Sequence, residues 1–143
     1  MQNNLDGALS VLIVDDHPAM RYTMLDILED EGFLAMTAEF GEEAVQLCAE
    51  NSFDIVLMDV QMPEMTGVEA FRQIKKNGGA PPRFIFMSAY SVEELKEECF
   101  RLGAIAFLQK PLDMNEVIRL IRDRRSPSVL LFLKDKRARE ASA

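Results

Sequence analysis

Five short apolar runs alternate with five stretches of helical spacing along 143 residues. That alternation predicts an α/β fold, a doubly wound parallel five-stranded sheet, (βα)5, with helices on both faces. The runs are mostly continuous, as strands covered on both faces are. Carboxylate, hydroxyl and ammonium side chains follow individual runs, and an open α/β sheet gathers its ligands at that carboxyl edge.

Each element has its own signal. Residues 11–14 form the first strand, and Asp15-Asp16 follows it. Met20, Met24, Ile27 and Leu28 share one face of the first helix. Gly32 stands where a helix end needs a left-handed residue, and Asn51 is suited to the same part after the second helix. The second and third strands are residues 33–37 and 55–58, the latter ending on Asp59. Thr66 with Glu69 has the spacing of a capping box at the third helix. Asn77-Gly78-Gly79-Ala80-Pro81-Pro82 marks a loop before the fourth strand, residues 84–87, which leads to Ser88. Ser91 with Glu94 repeats the box spacing. Val92, Leu95, Cys99 and Leu102 make the apolar face of the fourth helix, and Gly103 closes it. The fifth strand, residues 104–108, runs into Lys110-Pro111. A third box, Asp113 with Glu116, opens the last helix, striped by Met114, Val117, Ile118 and Ile121.

Composition narrows the function. Hydrophobic residues make up 48% of the chain, enough for the core of one domain. Apolar runs fall short of the ~20 residues of a membrane helix, and the first seven residues lack a signal-peptide pattern. Cys48 and Cys99 lie in predicted helices without metal-ligand spacing, which points to core packing and a reducing, cytoplasmic setting. The net charge of −8 is uneven: residues 1–118 hold 8 Lys and Arg against 21 Asp and Glu, and residues 119–143 hold 8 against 3. An acidic body repels nucleic acid, so no direct nucleic-acid binding is expected. The expected organisation is a tail over residues 1–8, a domain over 9–124, and a linker with a C-terminal tail over 125–143. That last segment is either an extra helix or the start of an output domain.

Asp15, Asp16, Asp59, Ser88 and Lys110 all fall at the same edge of the predicted sheet. Carboxylates ~4 Å apart repel by roughly 1–4 kcal/mol per pair. A hard divalent ion such as Mg²⁺, or alternatively Mn²⁺, offsets that repulsion and prefers oxygen ligands. Metal and ammonium together neutralise the charge of phosphoryl transfer, a reaction dominated by positioning and electrostatics. A carboxylate can be the nucleophile, giving an aspartyl phosphate. Singly, these residues are ordinary: Asp15 or Asp16 suits a helix cap near Pro18, Ser88 a turn, and Lys110 an exposed cation. Their joint placement after separate strands carries the reading. His17, the only histidine, either approaches the metal or is a partly exposed residue at the helix start.

With these motifs the chain resembles the receiver domain of bacterial two-component response regulators, over roughly residues 9–124. The resemblance implies a flavodoxin-like strand order, 2-1-3-4-5. It implies that Asp59 is the phosphoacceptor and that Asp15, Asp16, Asp59 and the Gln61 carbonyl hold Mg²⁺. Ser88 and Lys110 stand at the family's hydroxyl and lysine positions, and the Lys110-Pro111 bond would be cis. Met62-Pro63 and Gly67 match the loop after the acceptor. Phe107 takes the aromatic switch position without the tyrosine hydroxyl, or is simply a strand-end aromatic. Gln61 and Tyr90 flank the site, and Tyr90 is expected to shield the acyl phosphate from water. The implied partners are a sensor histidine kinase or phosphotransfer protein, and a phosphorylation-dependent homodimer or output-domain partner. Acidic Glu93, Glu94, Glu97 and Glu98 facing basic Arg119, Arg122, Arg124 and Arg125 fit such an interface by charge. The chain is thus expected to be a phosphorylation-dependent signalling switch rather than an enzyme, though it assists its own phosphotransfer and autodephosphorylation. A phosphorylation-independent interaction module is the alternative. A haloacid-dehalogenase-type hydrolase would want an aspartate where Gln61 stands. A nucleotide-binding domain would want a glycine-rich loop where Asp15-Asp16-His17-Pro18 stands.

Overall fold

The computed structural model describes residues 7–90 and 92–123. Residues 1–6 of the expected tail, the Ser91 cap, Arg124, Arg125 and the linker with its C-terminal tail lie outside the described residues. Strands β1 (Ser10–Val14), β2 (Leu34–Ala38), β3 (Ile55–Asp59), β4 (Arg83–Ser88) and β5 (Ala106–Gln109) alternate with five helices. These are α1 (Pro18–Asp30), α2 (Gly41–Glu50), α3 (Gly67–Lys76), α4 (Glu93–Arg101) and α5 (Met114–Arg122). The sheet is parallel throughout, in the order β2-β1-β3-β4-β5.

The strand pleat sends alternate residues to two cores. Leu12, Val14, Val56, Met58, Phe84 and Phe86 pack against α2, α3 and α4, through Ala44, Phe71 and Cys99 among others. Val11, Ile13, Ile55, Leu57, Ile85 and Met87 pack against α1 and α5, through Met24, Leu28, Val117 and Ile121. Phe71 stacks on Phe84 with centroids 4.2 Å apart and planes 5° from parallel, a contact contributing about 0.5–1.5 kcal/mol beyond the area it buries. The expectation of strands covered on both faces holds for β1, β3 and β4 but fails for β2. At the sheet edge, β2 has a neighbour on one side only, and of its residues just Ala38 is buried.

Helix ends follow the local chemistry, with three corrections. Gly32 and Gly103 have φ of 91° and 105°. In each case the next residue donates back to a carbonyl five positions earlier, Phe33 to Leu28 and Ala104 to Cys99, as a left-handed closing residue allows. Asn51 does not take that conformation. Its φ is −134°, and its side-chain amide donates to the Leu47 carbonyl instead. Thr66 Oγ1 accepts from Glu69 N at 3.1 Å, the expected cap of α3. Asp113 caps α5 one residue short of the box spacing, accepting from Asn115 N. Val92 is the N-cap of α4 and is exposed, rather than part of its apolar face.

Candidate functional site

The strand order reverses between β1 and β3, since their connections run to opposite sides of the sheet. A crevice opens at the carboxyl ends of two such strands. Asp15 directly follows β1 and Asp59 is the last residue of β3. The strands are in register, with Val14 opposite Met58, so the backbone alone brings the two carboxylates together. Both are almost wholly buried, Asp15 at 0% and Asp59 at 4% exposure.

Lys110, just past β5, reaches across to bridge them. Its Nζ donates to Asp59 Oδ2 at 2.7 Å and to Asp15 Oδ2 at 2.9 Å. Its own amide donates to the Ser88 carbonyl, which fixes the lysine to the end of β4. The Lys110-Pro111 peptide is cis, as expected. Asp59 Oδ1 accepts the Gln61 amide at 2.9 Å. Asp15 Oδ1 accepts the His17 amide at 2.9 Å. The alternative of a helix cap at Asp15 or Asp16 is not what the structure shows: His17 holds the N-cap position with an extended backbone, and no side chain caps α1 there.

Burial pushes the Asp59 carboxyl above the ordinary carboxylate range. The Lys110 hydrogen bond, the Gln61 amide and the Lys110 charge oppose that rise, and the nearby Asp15 charge adds to it. Burial pulls Lys110 the other way, but hydrogen bonds and attraction from Asp59 and Asp15 outweigh it, so the ammonium is held above the ordinary lysine value. The two directions are compatible. One ammonium shared by two acids does not repay Asp59 for leaving water, whereas that same ammonium is served by both acids. Burial also raises the thiols of Cys48 and Cys99, to about 11 and about 12, so neither ionises near neutral pH.

Asp16 completes an acidic cluster. Donor atoms of Asp15, Asp16, His17 and Asp59 all lie within 4.8 Å of one another. Asp16 Oδ1 is buried without a hydrogen-bond partner among the described residues. The His17 Nδ1 is 3.3 Å from it but lacks hydrogen-bond alignment. A buried carboxylate oxygen with no donor is costly in a protein alone and suited to a cation. The cluster therefore fits a divalent metal.

The remaining expected residues are less tightly gathered. Ser88 is fully buried, and its Oγ accepts the Tyr90 amide at 3.1 Å. Phe107 is buried in the core on the α2–α4 face, opposite Phe86 in the ladder. Gln61 is exposed, and Tyr90 is 61% exposed. Gly67 approaches the acceptor strand so closely that a Cβ there would meet the Asp59 carbonyl and lie 3.0 Å from Val60 Cα. Two of the charges expected to serve an interface with a second copy or a partner have exposed partners within the chain: Glu98 pairs with Arg72 of α3, and Arg122 with Glu31 just past α1.

Arg21 was not among the expected site residues. It is 7% exposed, and its Nη1 donates to the Asp15 carbonyl at 2.8 Å. A signal for it existed: Arg21, Met24 and Leu28 share helical spacing and are the buried residues of α1. A cation on an apolar face requires a partner.

Comparison with known proteins agrees with this geometry. A family model described as the response regulator receiver domain matches residues 11–122. The chain belongs to that family. It is 38% identical over 112 residues to chemotaxis protein CheY of Bacillus subtilis, covering 78% of this chain and 92% of that relative. It is 36% identical over 107 residues to regulatory protein AtoC of Escherichia coli, covering 75% of this chain but only 23% of the relative. A solved CheX-CheY-BeF3-Mg²⁺ complex from Borrelia burgdorferi matches with a TM-score of 0.74 at 36% identity, over 82% of this chain and 90% of the matched chain. The chain is a signalling receiver domain of the two-component type. None of its described helices is long and apolar enough to cross a membrane.

Proposed function

We propose that Asp59 accepts a phosphoryl group from the phosphohistidine of a sensor kinase or phosphotransfer protein, and that this changes the partner-binding surface of the domain. One carboxylate oxygen of Asp59 forms the new P–O bond as the P–N bond to the donor imidazole breaks. Lys110 shifts its contact from Asp59 to a phosphoryl oxygen while keeping Asp15. The Gln61 amide, now on Asp59 Oδ1, orients the carboxylate for attack. Asp15, Asp16, Asp59 and the Gln61 carbonyl would hold Mg²⁺, with Mn²⁺ as a substitute. Bound there, the ion neutralises negative charge on the transferring group.

The product adds about −1.5 to −2 charge, taking phosphoserine as a guide. Ser88 then donates its hydroxyl to a phosphoryl oxygen instead of accepting from Tyr90, and Phe107 repacks behind it. These two movements bias the surface of α4, β5 and α5. Moving such a switch from 1:99 to 99:1 requires about 5.5 kcal/mol of differential stabilisation. Tyr90 limits water at the acyl phosphate and so sets the rate of autodephosphorylation. The unit runs over residues 9–124, works in the cytoplasm, and passes its state to an output domain or a second copy of itself.

The observation that carries this reading is the single ammonium of Lys110 bridging Asp15 and Asp59 beside an unpartnered Asp16 oxygen. Incubation with acetyl phosphate and Mg²⁺, followed by intact mass, tests it. One added phosphoryl group in the native chain and none in Asp59→Asn is expected. No addition in the native chain would leave the phosphorylation-independent module as the better account.

A further inference from the structure

We propose that His17 gives this site a nitrogen ligand, so that it binds a borderline divalent cation of the Zn²⁺ class in exclusion of Mg²⁺. The inference deepens the reading of Asp15, Asp16 and Asp59 as a metal site and rests on it. The Nδ1 atom of His17 lies 3.2 Å from Asp15 Oδ1 and 3.3 Å from Asp16 Oδ1. The ring is placed by its Nδ1 contact with Asp15 Oδ1, and the His17 amide donates to the same oxygen. Lys110 occupies the Oδ2 atoms of Asp15 and Asp59, and the imidazole lies on the Oδ1 side of Asp15.

The donor types and spacings favour one metal class. Imidazole suits Zn²⁺, Ni²⁺ and Cu²⁺, whereas Mg²⁺ takes oxygen ligands almost exclusively. Zinc–oxygen and zinc–nitrogen bonds of about 2.0–2.1 Å in a tetrahedron put neighbouring donors about 3.3–3.4 Å apart. The two contacts of His17, at 3.2 and 3.3 Å, lie close to that spacing, and the full donor set lies within 4.8 Å. An octahedron with Mg²⁺ bonds of about 2.0–2.1 Å has edges of only about 2.9 Å. Two carboxylates and one imidazole leave the fourth zinc position to Asp59 or to water. Both ions need Asp15 and Asp16, so one displaces the other. A Zn²⁺-class ion thereby withholds the domain from Mg²⁺-supported phosphorylation.

His17 is the only histidine in the sequence, so its imidazole resonances are unambiguous. It is exposed, and replacing it leaves the core untouched. Zn²⁺ is titrated against a chromophoric chelator, and Mg²⁺ is titrated directly, into the native chain and His17→Ala. The Zn²⁺-to-Mg²⁺ affinity ratio is expected to fall at least about tenfold in the variant, the lower end of what losing even a supporting residue costs a metal site. Zn²⁺ should also shift the Nδ1 resonance of the native chain at one equivalent. An unchanged ratio, or an imidazole that does not respond to Zn²⁺, overturns the proposal. Failure of the phosphorylation reading is distinguished by intact mass after acetyl phosphate and Mg²⁺ alone, with no Zn²⁺ present.

Discussion

Replacing Asp59 with asparagine should stabilise the metal-free protein, and the reason lies in how its charge is housed. The two Oδ2 atoms bound by Lys110 at 2.7 and 2.9 Å are at most 5.6 Å apart, the sum of those contacts. At ~5 Å and an effective dielectric of ~20, the Asp15–Asp59 repulsion is about 3 kcal/mol. Removing the Asp59 charge from water costs several kcal/mol more. Against these stands the attraction of Lys110, about 6 kcal/mol at the same dielectric. The balance favours the neutral side chain by roughly 1–2 kcal/mol, in keeping with the raised pKa of Asp59. Asparagine retains an oxygen for Lys110 or for the Gln61 amide. For a domain of this size the gain corresponds to roughly 3–10 °C in Tm. The pH dependence has a definite sign. A carboxyl raised on folding binds its proton more tightly in the native state, so native stability falls as pH rises from the unfolded value of ~3.9 through the raised folded value. The advantage of Asp59→Asn should therefore be small near pH 4 and grow as pH rises through the folded value. Thermal melts by circular dichroism in EDTA, and again with Mg²⁺, measure both; metal should narrow the gap by stabilising the native protein. A variant less stable than the native chain at pH 7 in EDTA would show that the lysine bridge outweighs burial and repulsion, and the electrostatic account of the site would be wrong.

Three further perturbations probe the supports of the site. Gly67→Ala should cost about 1–3 kcal/mol, because its Cβ meets the backbone at Asp59 and Val60; urea unfolding with an unchanged m-value would report it, and a neutral result would mean that the loop yields freely. Arg21→Met removes the buried donor to the Asp15 carbonyl and should lose about 1–3 kcal/mol, with weaker Mg²⁺ binding by titration; affinity equal to the native chain would detach Arg21 from the site. Lys110, raised on folding, stabilises the native state fully below the ordinary lysine value of ~10.4, and that contribution fades as pH rises through its folded value. Alkaline melts should accordingly show a steeper loss of stability in the native chain than in Lys110→Met.

Much of this protein is written in short-range patterns. The apolar runs, the acids after residues 14 and 58, and the glycines at 32 and 103 each announce themselves within a few residues. Strand identity and helix closure are governed by local backbone preference and by the period of the apolar pattern, which is why those readings agree with the structure. Asn51 shows the limit: its side chain offered a second way to satisfy the Leu47 carbonyl, and the left-handed turn was not needed. The openness of β2 likewise belongs to its place in the strand order rather than to its residues. What no local pattern contains is which oxygen meets which nitrogen. Asp15, Asp59 and Lys110 are brought within hydrogen-bond reach by strand register, across 51 and 95 residues of chain. Arg21 under Asp15 and the turn of His17 onto Asp15 span only six and two residues, but they matter because the fold buries Asp15. Sequence dictated the chemistry available at the sheet edge. Packing alone chose the pairings, because burial makes a charge depend on neighbours that the chain supplies from a distance.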